Sequence, residues 1–152
     1  MPPELRLRRL EPADAGRVQQ FVRRLSPQTR RERYFCAINE LSARQLERMT
    51  FGGSARDLSL GAFEQERIVA IAEYADGEFA VVVADAWQGL GIGEALMLRL
   101  LDHARESRLP ALHGLVSGGN RAMLRLAGRL GFRSARDADP GFVRVERALS
   151  HA

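Results

Sequence analysis

The sequence predicts an α/β (α+β) chain built on a mixed, mostly antiparallel, twisted sheet of about six to seven strands with helices on both faces. Two observations carry this. "DLSLGAFE", "RIVAIAEYA" and "EFAVVVADA" are consecutive strand-like runs joined by turns short enough to force antiparallel hairpins. Beyond them, helical and strand-like segments alternate, which permits parallel pairing.

In order, "ELRLRRL" alternates and reads as a first strand. "EPADAGRVQQFVRRL" places Val18, Phe21, Val22 and Leu25 at helical spacing. "SPQTRRERYF" is a Ser-Pro break followed by a short charged helix. "LSARQLERMTF" offers Ser42 as N-cap and puts Leu46 and Met49 on one face, and "GGS" ends it. Between the second and third hairpin strands, Asp76-Gly77 suits a two-residue type I′ turn. That turn sets Ala75 opposite Glu78 and Tyr74 opposite Phe79, so Glu73 and Glu78 share a face. Two neighbouring carboxylates would raise the pKa of one of them. A long helix follows from about Gly91 to Ser107, then the strand "ALHGLVSG". "NRAMLRLAGRLG" is a helix with Asn120 at its start and Gly131 just past its end. "FRSAR" and "FVRVERAL" close the chain as strands.

At 152 residues the expectation is a single domain spanning 1–152, with a sizeable core. No apolar run approaches the ~20 residues of a membrane span, and "MPPELRLRRLEPADAG" lacks a signal-peptide apolar segment. Cys36 is the only cysteine, which excludes an intrachain disulfide and a cysteine-based metal site. No His/Cys/carboxylate cluster at ligand spacing stands out, so no metal is expected. The expected compartment is the cytoplasm, with no membrane partner. All 23 basic residues are arginine, which excludes any chemistry that needs a lysine of this chain. The net charge is +4, but 19 acidic residues are interspersed among the arginines. That pattern favours a solvated surface over a nucleic-acid face, and it suits a site for a polyanionic cofactor.

The unusual feature is "AWQGLGIGEALMLRLL". Gly89, Gly91 and Gly93 stand at the mouth of a helix, where each glycine costs roughly 1 kcal/mol relative to alanine. A strand running into such a turn presents unpaired N–H groups and the positive end of the helix dipole to an anion. A P-loop needs a lysine that is absent. A dinucleotide fingerprint needs G-x-G-x-x-G in the first strand–helix unit, whereas here G-x-G-x-G follows the fourth strand. A tight turn without a ligand is the plain alternative.

"Q-G-L-G-I-G" fits Q/R-x-x-G-x-G/A, and the chain resembles the GCN5-related N-acetyltransferase (GNAT) superfamily. Asn120 and the run "N-x-x-x-L-x-x-x-x-x-L-G-F" ending at Phe132 resemble its second cofactor helix. "LSPQTRRERYF", "GEFAVVVADAWQGLGIG" and "NRAMLRLAGRLGF" are similar to the acetyltransferase domain of bacterial protein acetyltransferases that act on lysines of acyl-CoA synthetases. The resemblance implies a GNAT fold whose sheet splays beside the fourth strand. It implies acetyl-CoA as cosubstrate and direct acetyl transfer to a primary amine. A protein lysine is the first choice of acceptor. A small-molecule amine, or a non-catalytic acyl-CoA-sensing module, are the alternatives.

Residue by residue, the resemblance puts the cofactor pyrophosphate on the backbone of Gly89, Leu90, Gly91, Ile92, Gly93 and Glu94, with Gln88 setting the turn. The pantetheine arm would lie along Val81, Val82 and Val83 like an added strand. A backbone N–H near Val83 would face the developing oxyanion, and Asn120 would bond the arm. Glu78 is the implied base, in an "E-[FI]-A" context, with Glu73 the second choice; a solvated glutamate beside a turn is the alternative for Glu78. Ala127 stands where many relatives carry a tyrosine acid, and Leu115 near where some carry a glutamate, so no side-chain acid is expected. Arg30, Arg33 and Tyr34 fall on the acceptor side, or equally on a solvated charged helix. His103 is assigned to the surface, His113 to a strand, Cys36 to packing and Trp87 to covering the turn. Many relatives are dimers, which keeps a homodimer open.

Overall fold

The computed structural model describes residues 2–51, 54 and 56–149. In chain order they form β1 (Arg6–Arg9), α1 (Ala15–Arg24), α2 (Pro27–Tyr34), α3 (Ala43–Thr50), β2 (Asp57–Glu64), β3 (Arg67–Ala75), β4 (Glu78–Val83), α4 (Ile92–Glu106), β5 (Ala111–Ser117), α5 (Arg121–Arg129), β6 (Arg133–Arg136) and β7 (Phe142–Ala148). Two 3-10 turns, Pro12–Asp14 and Asp85–Trp87, complete the order. The seven strands among the described residues make one sheet in the order β1-β2-β3-β4-β5-β7-β6. Neighbours are antiparallel except β4 and β5, which are parallel.

The hairpin chemistry acts as the sequence suggests. Asp76 and Gly77 both adopt positive φ, 49° and 88°, the type I′ requirement. Ala75 therefore pairs with Glu78 and Tyr74 with Phe79. Period-2 alternation divides the two faces of β3 and β4. Tyr74 and Phe79 join Leu96, Met97, Leu100 and Leu112 in the core under α4. Ile71 and Val82 join Val18, Phe21 and Val22 in a second core under α1.

The sheet splits between β4 and β5. Their pairing is confined to Glu78 and His113, held by the His113 N–H donating to the Gly77 carbonyl at 2.8 Å. One residue further on, the Phe79 ring lies over Gly114, where a Cβ would sit 2.8 Å from the ring. The same ring meets Phe132 at 4.9 Å between centroids. The two rings form an aromatic wedge in the core beside Gly114, one residue past the rung that β4 and β5 share.

Helix α2 is anchored to the end of β4. The Asp85 carboxylate accepts from the Ser26 N–H (3.0 Å), the Ser26 hydroxyl (2.8 Å) and the Thr29 hydroxyl (3.0 Å). Burial alone would raise the Asp85 carboxyl, but these bonds hold it below its ordinary value.

Two sequence assignments change. Cys36 is exposed rather than packed. His103 is half-buried rather than a plain surface side chain: its Nδ1 lies 2.5 Å from the Tyr74 hydroxyl and its Nε2 2.7 Å from Arg9. Burial, then Arg9, lower its pKa.

Asp14 supplies a stability prediction. It is 1% exposed and accepts from Arg8 at 2.8 Å and Arg17 at 3.0 Å. Its hydrogen bond from Arg8 is the main reason that its pKa is lowered to about 2. A depressed folded-state pKa adds stability above the unfolded value near ~3.9, and that stability fades as the pH falls towards 2. Because both arginines are one-third exposed, Asp14→Asn is expected to cost about 1–2 kcal/mol. Urea unfolding of both proteins checks this: the gap should be full at pH 6 and shrink below pH 4.

Candidate active site

The split opens a cleft of about 620 Å³, lined by Val81, Val82 and Val83 of β4, by Trp87 to Gly89 and Gly91 to Glu94 of the glycine turn, and by Asn120 and the outer face of α5. Strand alternation decides which backbone groups face it. The Ala84 N–H donates to the Val69 carbonyl at 2.9 Å, so alternate residues of β4, including Val82, point their polar groups at β3. Val81 and Val83 point theirs the other way, into the gap. The Val83 carbonyl is met by the Gln88 side-chain amide at 3.0 Å, which ties the glycine turn to the strand end. Val82 lines the cleft, but its side chain is 7% exposed in the α1 core and its main chain serves the β3 ladder.

The turn is a cradle of bare backbone. Gly89 and Gly91 hold φ of 78° and 82°, the left-handed region where glycine carries no steric penalty. A Cβ on Gly93 would lie 3.5 Å from the Val83 side chain and 3.8 Å from that of Val81. The first hydrogen bond of α4 runs from the Ala95 N–H to the Gly91 carbonyl at 3.1 Å. The N–H groups of Ile92, Gly93 and Glu94 therefore lack intrahelical partners. Leu90 is 46% exposed and its side chain stands outside the cleft lining. Trp87, assigned to covering the turn, is half-buried against the main core and also lines the cleft.

Opposite the turn, Asn120 caps α5, its Oδ1 accepting from the Met123 N–H at 3.2 Å, and it reaches both this cleft and a narrower branch. Sequence reasoning missed Arg121, Arg125 and Arg129, which line the same cleft at i, i+4 and i+8 along α5. Their spacing was the available signal: three cations on one helical stripe beside the unpaired N–H groups. These features fit a polyanionic ligand entering along β4.

The branch, about 70 Å³, leads between β4 and β5 and is lined by Glu78, Phe79, Val81, Leu115, Met123 and Phe35, with Glu32 and Arg33 at the junction of the two cavities. Glu78 is exposed at its mouth. Glu73 shares the face of Glu78 but is committed elsewhere. It pairs with Arg33 and accepts from the Ser59 hydroxyl at 3.2 Å. Arg33 in turn lies 4.6 Å over the Tyr34 ring. Burial pushes the Tyr34 phenol up.

Arg30 is not brought to the cleft. Its guanidinium donates to the Leu25 carbonyl at 2.6 Å and the Arg23 carbonyl at 3.3 Å, closing the C-terminal end of α1. Ala127 is 1% exposed in the main core, so that position presents no acid to the site. Among the described residues no group of three His, Cys, Asp or Glu side chains could hold a metal ion. Among the same residues no helix is long and apolar enough to cross a membrane.

A split sheet that presents one strand edge and a glycine-lined helix start to a common cleft is the architecture of the GNAT fold. The chain belongs to the acetyltransferase (GNAT) family, whose model matches residues 22–132, and acetyl-CoA is the acetyl donor of this family. It is similar to an acetyltransferase of Pseudomonas aeruginosa, 36% identical over 151 residues, covering 93% of this chain and 81% of that one. Its structure is similar to the GNAT domain of S. lividans PAT, with a TM-score of 0.90 and 26% identity over 95% of this chain and 90% of that one. It also shares the fold of a Salmonella typhimurium protein solved with its cofactor acetyl-CoA, with a TM-score of 0.77, 18% identity and coverage of 97% and 95%.

Proposed function

We propose that residues 1–152 form a single N-acetyltransferase domain that moves the acetyl group of acetyl-CoA directly to a primary amine, with a protein lysine as the first-choice acceptor. The observation that carries this reading is the junction at Asn120. There the cleft suited to a polyanion meets a narrow branch that has the Glu78 carboxylate at its mouth. A protein acceptor is supported by the likeness to the S. lividans protein acetyltransferase, and the choice of lysine by the sequence resemblance given above.

Acetyl-CoA, when bound, supplies an activated thioester. The N–H groups of Gly89 to Glu94 would hold its pyrophosphate, aided by the α5 arginines, and Val81 and Val83 would pair with its arm as an added strand. The Val83 N–H is aimed into the gap, where it would donate to the carbonyl oxygen of the reacting group. An alkyl ammonium has a pKa near ~10.4 and must lose a proton to attack. The Glu78 carboxylate would take that proton, directly or through water. No side chain at Ala127 or Leu115 returns one, so water would protonate the leaving thiolate. The reading places the chain in the cytoplasm, where the exposed Cys36 thiol stays reduced.

A small-amine acceptor is the second reading, supported by the shared fold of the Vibrio cholerae spermidine N-acetyltransferase. Thiol release from acetyl-CoA should be followed side by side with lysine-bearing proteins, spermidine, aminoglycosides and free amino acids. Faster turnover with proteins is expected. Turnover confined to small amines removes the lysine preference. Tight acetyl-CoA binding with no thiol release against any amine favours a sensing module.

A further inference from the structure

Helix α2 ends on Phe35, which holds φ of 60° in the left-handed region. Glycine is the usual residue at such a helix end, and a bulky side chain there is an outlier that invites a functional reason. The Phe35 ring stays 42% exposed, yet it lines the narrow branch. Its edge meets the ring of Phe142 at 5.0 Å between centroids and 81° between planes. These two rings come from opposite sides of the split. Helix α2 packs on β4, whereas Phe142 begins β7, in register with Ser117 at the end of β5. The pair therefore bridges the mouth of the wedge where β4 and β5 have parted.

Below this bridge the branch walls are mostly apolar. Phe79, Val81, Leu115, Val116 and Met123 line it, together with the Glu32 and Glu78 carboxylates, Asn120 and Arg33, whose charge is matched by Glu73. A narrow, mostly apolar passage with the Glu78 carboxylate in its lining matches an unbranched carbon stem that carries a terminal ammonium. It does not match an amine on a branched carbon, whose substituents would collide with the walls.

We propose that Phe35 and Phe142 form an aromatic roof over the acceptor branch, and that this roof selects amines at the end of a straight alkyl stem, as in a lysine side chain, over amines on a branched carbon such as a protein N-terminus. The inference rests on the primary-amine reading above. The roof acts by burying methylenes against the Phe35 ring, which Phe142 holds over the branch, so its contribution appears in acceptor recognition and not in acetyl-CoA affinity. Phe35→Gly suits a test, because glycine keeps the left-handed backbone and removes only the ring. Phe142→Leu removes the partner ring while keeping an apolar strand residue.

The experiment measures thiol release with ethylamine, propylamine, butylamine and pentylamine, and with alanine amide as the branched probe. In the wild type, kcat/KM is expected to rise about fourfold for each methylene buried, with alanine amide at least tenfold below pentylamine. In Phe35→Gly and in Phe142→Leu the rise should flatten to under twofold per methylene, while the KM for acetyl-CoA stays within twofold of wild type. The double variant should be no flatter than the more affected single one, because each ring acts through the other. An unchanged slope in both variants overturns the roof and leaves the acetyltransferase reading standing, as does better turnover of alanine amide than of pentylamine. Turnover of lysine-bearing proteins with none of pentylamine overturns the roof alone; no turnover of these amines or of lysine-bearing proteins by the wild type overturns the primary-amine reading itself, and the roof with it.

Discussion

Gly91→Val is expected to lower the affinity for acetyl-CoA by at least tenfold, about 1.4 kcal/mol or more. Gly91 is the N-cap of α4 with φ of 82°, a conformation that a β-branched residue reaches only at a cost of roughly 1–3 kcal/mol. The chain can relieve that strain by rotating the peptide groups around residue 91. Those are the groups that set the direction of the N–H bonds of Ile92 and Gly93, so relief misaims the anion cradle. Some loss of folding stability of the same order accompanies the change. Gly128→Ala separates the two effects. Gly128 lies inside α5 with nothing within 4 Å of its would-be Cβ, so alanine should stabilise the fold by about 0.5–1 kcal/mol and leave affinity unchanged. Calorimetric titration of acetyl-CoA into each variant reads the outcome. Wild-type affinity in Gly91→Val would remove the glycine turn from cofactor binding.

Local rules made much of this fold and cleft readable. Asp76-Gly77 fixed the β3–β4 register because a type I′ turn admits few other residues, and that register placed Glu73 and Glu78 on one face before any coordinates. The glycine turn was legible because costly glycines at a helix start need a reason. Long-range pairing was the hidden part. Nothing in the local pattern of "SPQTRRERYF" distinguishes Arg30, which closes α1, from Arg33, which crosses to Glu73. Both are arginines on one short helix, and their targets lie on elements far apart in the chain. The arginine stripe on α5 passed unnoticed because a solvated helix face carries the same spacing, and only the cleft gives it a meaning. The bridge of Phe35 to Phe142 joins residues more than a hundred positions apart, beyond any periodicity argument.

Glu78→Gln is expected to lower kcat/KM for the amine by about 10²–10⁴-fold, the usual contribution of a general base, with acetyl-CoA affinity unchanged. The substitution keeps the shape of the side chain and removes the only feature that matters for taking a proton. Glu78 suits the role by placement: it is exposed, opens onto the acceptor branch and stands beside the last rung that β4 shares with β5. Glu73, on the same face, is a poor rival because its charge is matched by Arg33 and it accepts from Ser59. Moving it would strand the half-buried Arg33 guanidinium. Glu73→Gln should therefore raise the acceptor KM through a loosened α2 and leave kcat within a few-fold of wild type. The reverse pattern, with the large loss of kcat only in Glu73→Gln, would move the base one diagonal step across the hairpin to Glu73 and leave Glu78 as a solvated carboxylate beside the turn.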